Sequence, residues 1–160
     1  VDAPLNILPL DSDADRQCCA RIMSSSEPWL TLGRTYEASY ELLGDPTREI
    51  YVAKVGDDLA GFIILLMQGA LVGYVQTICV APEHRNRGVG RRLLAFAEER
   101  IFRESPNVFL CVSSFNTGAR RLYLRLGYEL IGELKDYIVR GHSELLMRKT
   151  RGPLREFQRP

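Results

Sequence analysis

The stretch Val80-Ala81-Pro82-Glu83-His84-Arg85-Asn86-Arg87-Gly88-Val89-Gly90-Arg91-Arg92-Leu93-Leu94 takes an apolar strand through a basic, glycine-containing turn into an amphipathic helix. It reads as a pyrophosphate cradle. Gly88 and Gly90 lack Cβ atoms where backbone amides would approach an anion, and the amide-rich helix start adds partial positive charge. Arg85 and Arg87 can add full charges at the same spot, whereas Arg91 reads equally as a solvated helix charge. The competing reading is a turn that only needs a positive φ. Leu93 stands where a dinucleotide fingerprint needs its third glycine, and no Gly-Lys-Ser/Thr follows to form a triphosphate loop, so both nucleotide folds lose ground.

Upstream of this turn, Glu49 to Val55, Leu59 to Met67 and Tyr74 to Val80 are β-rich runs separated by Gly56-Asp57-Asp58 and Gln68-Gly69-Ala70. They predict an antiparallel meander feeding the turn. Before it, Leu5 to Leu10 reads as a strand, Ala14 to Met23 as a helix capped from Asp11-Ser12-Asp13, and Gly33 to Leu43 as a second helix. Downstream, Leu93, Leu94, Ala97 and Ile101 trace one face of a helix over Val89 to Phe102. Val108 to Val112 then reads as a buried strand, Ala119 to Leu126 as a helix stopped by Gly127, and Tyr128 to Leu134 with Ser143 to Lys149 as a closing strand pair. The expected architecture is α/β (α+β mixed): a central mixed, mostly antiparallel sheet of about seven strands flanked by about four helices. Residues 1–150 are expected to form a single domain, with 151–160 a basic tail.

The 160 residues suit one core; 46% hydrophobic and 26% charged residues are ordinary for a globular chain. A formal charge of +1 gives no general drive toward nucleic acid or anionic membrane, so anion affinity must be local. Cys18, Cys19, Cys79 and Cys111 show neither disulfide nor zinc spacing, and no metal site is expected. With no basic leader before an apolar core, and the longest apolar run only around Phe62 to Met67, the expected setting is reducing and cytoplasmic.

Arg85-Asn86-Arg87-Gly88-Val89-Gly90 closely resembles the acyl-coenzyme A signature Gln/Arg-x-x-Gly-x-Gly/Ala of the GNAT superfamily of N-acetyltransferases. A second pattern of that superfamily, Asn-x-x-Ala-x-x-x-Tyr-x-x-x-Gly-Phe/Tyr, is matched at every defined position between Asn116 and Tyr128. The resemblance covers roughly residues 5 to 149 and implies a GNAT-fold, acetyl-CoA-dependent N-acetyltransferase. It implies that the diphosphate lies on Arg85, Asn86, Arg87, Gly88, Val89, Gly90 and Arg91, and that the pantetheine arm runs beside Ile78 and Val80. Tyr123 would be the general acid that returns a proton to the thiolate. Periodicity alone would make it a core aromatic. Asn116 either caps its helix or also positions the pantetheine and Tyr123.

Within the superfamily, Pro28-Trp29 and Tyr137 ahead of Glu144-Leu145-Leu146-Met147 look most like the ribosomal-protein alanine N-acetyltransferases. Those carry a catalytic glutamate five residues before the asparagine, and here that position is Cys111. The carry-over of the base fails there, and Cys111 reads as a buried strand residue: a thiol near pKa 8.5 is a poor base and has no visible activator. A water relay to Tyr74, Glu83, His84 or Tyr137 is the alternative open to an α-amine acceptor. Trp29 and Tyr137 are expected to wall the acceptor groove; Tyr36 and Tyr40 are groove or core residues. The expected acceptor is a protein or peptide N-terminus attacking acetyl-CoA directly. A small-molecule amine such as a polyamine, amino acid or aminoglycoside is the alternative, then a non-catalytic acyl-CoA sensor, with a nucleotide-binding protein third. No nucleic acid or membrane partner is expected, and a homodimer remains one open assembly state.

Overall fold

The computed structural model describes residues 4–160. Seven strands form one sheet in the order β1-β2-β3-β4-β5-β7-β6: β1 Leu5–Pro9, β2 Glu49–Val55, β3 Asp58–Leu66, β4 Tyr74–Val80, β5 Asn107–Ser113, β6 Glu129–Leu134 and β7 Glu144–Thr150. Every neighbouring pair is antiparallel except β4 and β5. The four α-helices are α1 Asp13–Ser24, α2 Tyr36–Leu42, α3 Val89–Ile101 and α4 Thr117–Arg125. This is the mixed, mostly antiparallel sheet with four helices expected from the hydrophobic periodicities.

Side-chain alternation in the middle strands divides the core in two. On one face, Ile63 and Leu65 of β3, Leu110 of β5 and Met147 of β7 pack under Leu93, Leu94, Ala97 and Ile101 of α3. On the other, Phe62 and Ile64 of β3 and Cys79 of β4 meet Cys19, Ala20 and Met23 of α1. Because β3 feeds both cores, its central residues are buried on both sides, giving the unbroken apolar run that periodicity alone could not assign to a face. Serine 12 caps α1 by accepting the Asp15 N–H at 3.0 Å, and Thr35 caps α2 by accepting the Ala38 N–H at 3.1 Å. That second cap starts α2 at Tyr36, three residues later than the expected Gly33.

The tail is held at its start. Arg151 donates its N–H to the Pro106 carbonyl at 2.8 Å and sets its guanidinium 3.9 Å from the Phe102 ring centroid, after which Leu154–Glu156 makes one 3-10 turn.

Candidate active site

The site exists because two neighbouring strands part. β4 and β5 are paired only at Tyr74 with Phe109 and at Val75 with Leu110. Their approach begins at Gly73, whose carbonyl accepts the Phe109 N–H at 2.9 Å; a Cβ there would lie 2.5 Å from the Asn107 carbonyl oxygen, so only glycine fits. One residue past the paired segment, the β3 register jumps from Val75 opposite Leu65 to Thr77 opposite Ile64, leaving Gln76 as an extra residue. Such a bulge bends its strand. The Arg48 Nε–H donates to the Gln76 side-chain oxygen at 2.8 Å and anchors the bend, while Arg48 itself is paired with Asp45. From Gln76 to Val80 the β4 edge facing β5 consequently has no strand partner among the described residues.

The gap opens into a cavity of about 1130 Å³. Its walls include Tyr74, Gln76 and Ile78 of β4, Cys111 and Ser113 of β5, Glu144 and Leu146 of β7, Asn116 and Tyr123 at α4, and Trp29, Arg34, Tyr137 and Ile138 from loops. Six of the expected site residues or their neighbours, Trp29, Ile78, Cys111, Asn116, Tyr123 and Tyr137, are therefore brought to one space. Tyr36 and Tyr40 are not among them. Their rings stack at 6.0 Å against the α1 core, with the Tyr40 hydroxyl donating to Asp13 at 2.5 Å. Glu83 and His84 occupy a 3-10 turn, Pro82–His84, beyond the cavity wall.

At the carboxyl end of the unpaired edge stands the glycine turn. Asn86 (φ 59°) and Gly88 (φ 80°) are both left-handed, and Gly88 serves as N-cap of α3, its carbonyl accepting the Arg92 N–H at 3.0 Å. The amides of Val89, Gly90 and Arg91 form the helix's first turn, which has no intrahelical acceptors. No side chain caps them. Gly88 is explained by its φ, whereas Gly90 is helical, and an added Cβ would only touch Val80 Cγ2 at an ordinary 3.5 Å. Neither backbone nor packing requires glycine at 90, and without a Cβ there the first-turn amides are open to an anion such as a diphosphate. Arg85, Arg87 and Arg91 are all exposed, but only Arg85 is held, its Nε–H donating to the Val80 carbonyl at 3.2 Å and its Nη2 to Ser26 Oγ at 3.0 Å.

Asn116 caps α4, its side-chain oxygen accepting the Ala119 N–H at 3.3 Å, and lines the cavity as well. Tyr123 packs beside Tyr128 with ring centroids 5.8 Å apart. Burial pushes its hydroxyl up to about 12, which keeps it protonated at neutral pH.

On the opposite wall, β5 and β7 are paired with Cys111 opposite Leu146 and Ser113 opposite Glu144. Val112, Leu145 and Met147 point to the α3 core, so period-2 alternation puts Cys111, Ser113, Glu144 and Leu146 together on the cavity face. Cys111 is partly exposed to the cavity rather than buried, which corrects the sequence expectation; the strand's inner face belongs to its neighbours. Desolvation pushes its thiol up, only partly offset by the neighbouring Tyr74 hydroxyl, and desolvation holds the Tyr74 phenol protonated too. Glu144, 5% exposed, accepts the Ser113 hydroxyl on Oε1 at 2.6 Å, and burial pushes its carboxyl above the usual range. Sequence reading passed over Glu144, Ser113 and Gln76. The available signal was Glu144 itself, a charged residue opening the apolar strand Glu144-Leu145-Leu146-Met147.

Among the described residues, no group of three or more His, Cys, Asp or Glu side chains is arranged to hold a metal ion, and no helix is long and apolar enough to cross a membrane. The model of the acetyltransferase (GNAT) family matches residues 15–128. An uncharacterised protein of Mycobacterium leprae is 32% identical over 89% of this chain, which spans only 39% of that relative's length. The N-alpha-acetyltransferase RimI of Mycobacterium tuberculosis is 30% identical over 87% of this chain and 89% of its own. Among solved structures, a putative GNAT-family acetyltransferase from Desulfovibrio desulfuricans superposes with TM-score 0.77 at 22% identity, covering 92% of this chain and 99% of that one. The ribosomal-protein-S18-alanine N-acetyltransferase of Escherichia coli gives 0.74 at 18% identity, covering 97% and 99%.

Proposed function

The chain belongs to the acetyltransferase (GNAT) family, and from that premise we propose that it is an acetyl-CoA-dependent enzyme that acetylates the α-amine of a protein or peptide N-terminus by direct attack. One observation carries the donor half: the unpartnered β4 edge from Gln76 to Val80 runs into the amides of Val89, Gly90 and Arg91. A strand-shaped slot that ends in an anion cradle suits an extended amide-bearing arm terminated by a diphosphate. Main-chain groups of β4 take the pantetheine, as another strand would, and a β4 amide faces the thioester oxygen as charge develops on it. Tyr123, held protonated by burial, is the proton donor for the departing thiolate.

Two features support direct attack on the acceptor side. Desolvation raises the Cys111 thiol, so little thiolate exists at neutral pH to form an acetyl-cysteine. An α-amine, with an ordinary pKa near 8, is already about a tenth neutral at pH 7, unlike a lysine side chain near 10.4. The similarity to RimI of M. tuberculosis supports a protein N-terminus, and the exposed Tyr137 and Ile138 with Trp29 provide apolar walls for a peptide's first side chains. The test is thiol release from acetyl-CoA with two acceptor panels, peptides differing at their first two residues against polyamines, amino acids and aminoglycosides. Turnover confined to peptides is expected; turnover confined to small amines overturns the assignment.

A further inference from the structure

We propose that Glu144 is the group that takes the proton from the attacking amine, so that the carboxylate absent from Cys111 on β5 is supplied from the neighbouring strand β7. The inference rests on the acetyl-transfer reading above. Strand pairing carries it first: Ser113 faces Glu144 across β5 and β7, and Cys111 lies one step along the same cavity-facing side. A carboxylate at 144 therefore enters the same wall of the same cavity as a side chain at 111.

The second observation is how Glu144 is satisfied. Other partly buried carboxylates of this protein are structural and paired with cations. Glu98 accepts Tyr128 on Oε1 at 3.0 Å and Lys149 on Oε2 at 2.7 Å, and Glu49 accepts from Nε and Nη2 of Arg100. Glu144 is more buried than either, yet among the described residues it has no cationic partner and only the Ser113 hydroxyl, on Oε1. Oε2 is left for a ligand in the cavity. A buried carboxylate without a cation costs stability unless something else uses it; an ammonium group arriving in the cavity is such a partner.

The third is which other titratable groups line the cavity with it. From β5 comes Cys111, from β4 Tyr74, from α4 Tyr123, and from the loops Tyr137 and Arg34. Cys111, Tyr74 and Tyr123 are all pushed up by desolvation and stay protonated at neutral pH, so they donate rather than accept. Arg34 accepts no proton. A carboxyl whose pKa burial moves toward neutrality is the better proton acceptor for an amine there.

The proton balance closes. The substrate ammonium gives one proton to Glu144 Oε2, and the freed nitrogen lone pair forms the C–N bond at the thioester carbonyl carbon. Collapse of the tetrahedral intermediate breaks the C–S bond, and the thiolate takes the Tyr123 proton. The second proton of the new amide nitrogen returns to Tyr123 through water, and Glu144 releases its proton to solvent. The net products are the amide, free thiol and one proton.

The test compares wild type, Glu144→Gln and Glu144→Gln with Cys111→Glu, using whichever amine class the wild type acetylates. Glu144→Gln is expected to lower kcat/KM by about 100-fold, abolish the acidic limb of its pH profile, and leave coenzyme A binding by calorimetry unchanged. Cys111→Glu in that background is expected to restore part of the rate and an acidic limb. Full activity in Glu144→Gln overturns the proposal, as does an unchanged acidic limb. Absence of turnover in the wild type with every amine instead sinks the parent reading, and is seen before any variant is made. Glu144 is then decided by carbon-13 titration of its carboxyl in the coenzyme A complex: a carboxyl that titrates at the ordinary value and ignores added peptide amine overturns its role.

Discussion

The two ends of the cavity are made of different material. At the end of β4 the proposed anion site is backbone, the first-turn amides of α3 reached through residues contiguous from Asn86 to Arg91. Across the gap, at the β5 and β7 wall, the chemistry is side chain, and Ser113 meets Glu144 only because the strands pair in that register. A backbone cradle is hard to disable by changing one side chain and is tolerant of the charges around it. A side-chain wall depends on single atoms, and its members can change strand while the cavity keeps its chemistry. Donor-side substitutions should therefore alter affinity, and acceptor-side ones rate and pH dependence.

Tyr123 lines the same cavity and is expected to show the largest effect outside Glu144. Tyr123→Phe keeps the ring that packs on Tyr128 and removes only the hydroxyl. The expected loss in kcat is about 100-fold, with the acetyl-CoA KM little changed in steady-state assays. A variant with full turnover would take the acid role away from this residue and leave the thiolate to be protonated by solvent.

Gly90→Ala probes the backbone end. Alanine suits the helical backbone at 90 better than glycine by about 1 kcal/mol, and its Cβ would meet Val80 Cγ2 at an ordinary distance. The protein should therefore melt no lower than wild type. Coenzyme A, which must approach over that Cβ, is expected to bind about tenfold more weakly, a loss of roughly 1.4 kcal/mol, with kcat at saturation retained. Unchanged coenzyme A affinity by calorimetry would move the diphosphate off Gly90.

The same contrast explains what could be read from the sequence. The strand-turn-helix from Val80 to Leu94 is local, so its glycines, arginines and apolar stripe appear together in one stretch of chain. Asn116 and Tyr123 came from the resemblance alone, periodicity making Tyr123 a core aromatic, and the fold brings both to the cavity. The sheet followed from β-rich apolar runs broken by turn residues. The bulge at Gln76 has no such signature: it arises from the register between β3 and β4, set by both strands' core faces. Glu144 was hidden likewise, because only pairing with β5 shows that an acid opening an apolar strand lies beside Cys111. The later start of α2 had a local signal, since Thr35 is a good N-cap for a helix beginning at Tyr36.

Ser113→Ala gives the smallest expected effect and the sharpest reading of the side-chain wall. Ser113 donates to Glu144 Oε1 and so favours the ionised carboxylate, opposing the burial that pushes the carboxyl up. That hydrogen bond opposes burial, so removing it should raise the Glu144 carboxyl further. The acidic limb of kcat/KM then moves to higher pH, with activity several-fold lower near neutrality and recovering as pH rises. Stability moves with the same sign. A carboxyl raised in the folded state leaves stability intact below its unfolded pKa and diminishes it as pH climbs through the folded one. Ser113→Ala extends that decline to higher pH, whereas Glu144→Gln removes it and should make the neutral-pH protein more stable while slowing the enzyme. Denaturant midpoints of the three proteins across pH check this. Superimposable curves would mean that Glu144 is ionised as easily folded as unfolded, and the β5 and β7 wall would then be no more specialised than the solvated acids elsewhere on the sheet.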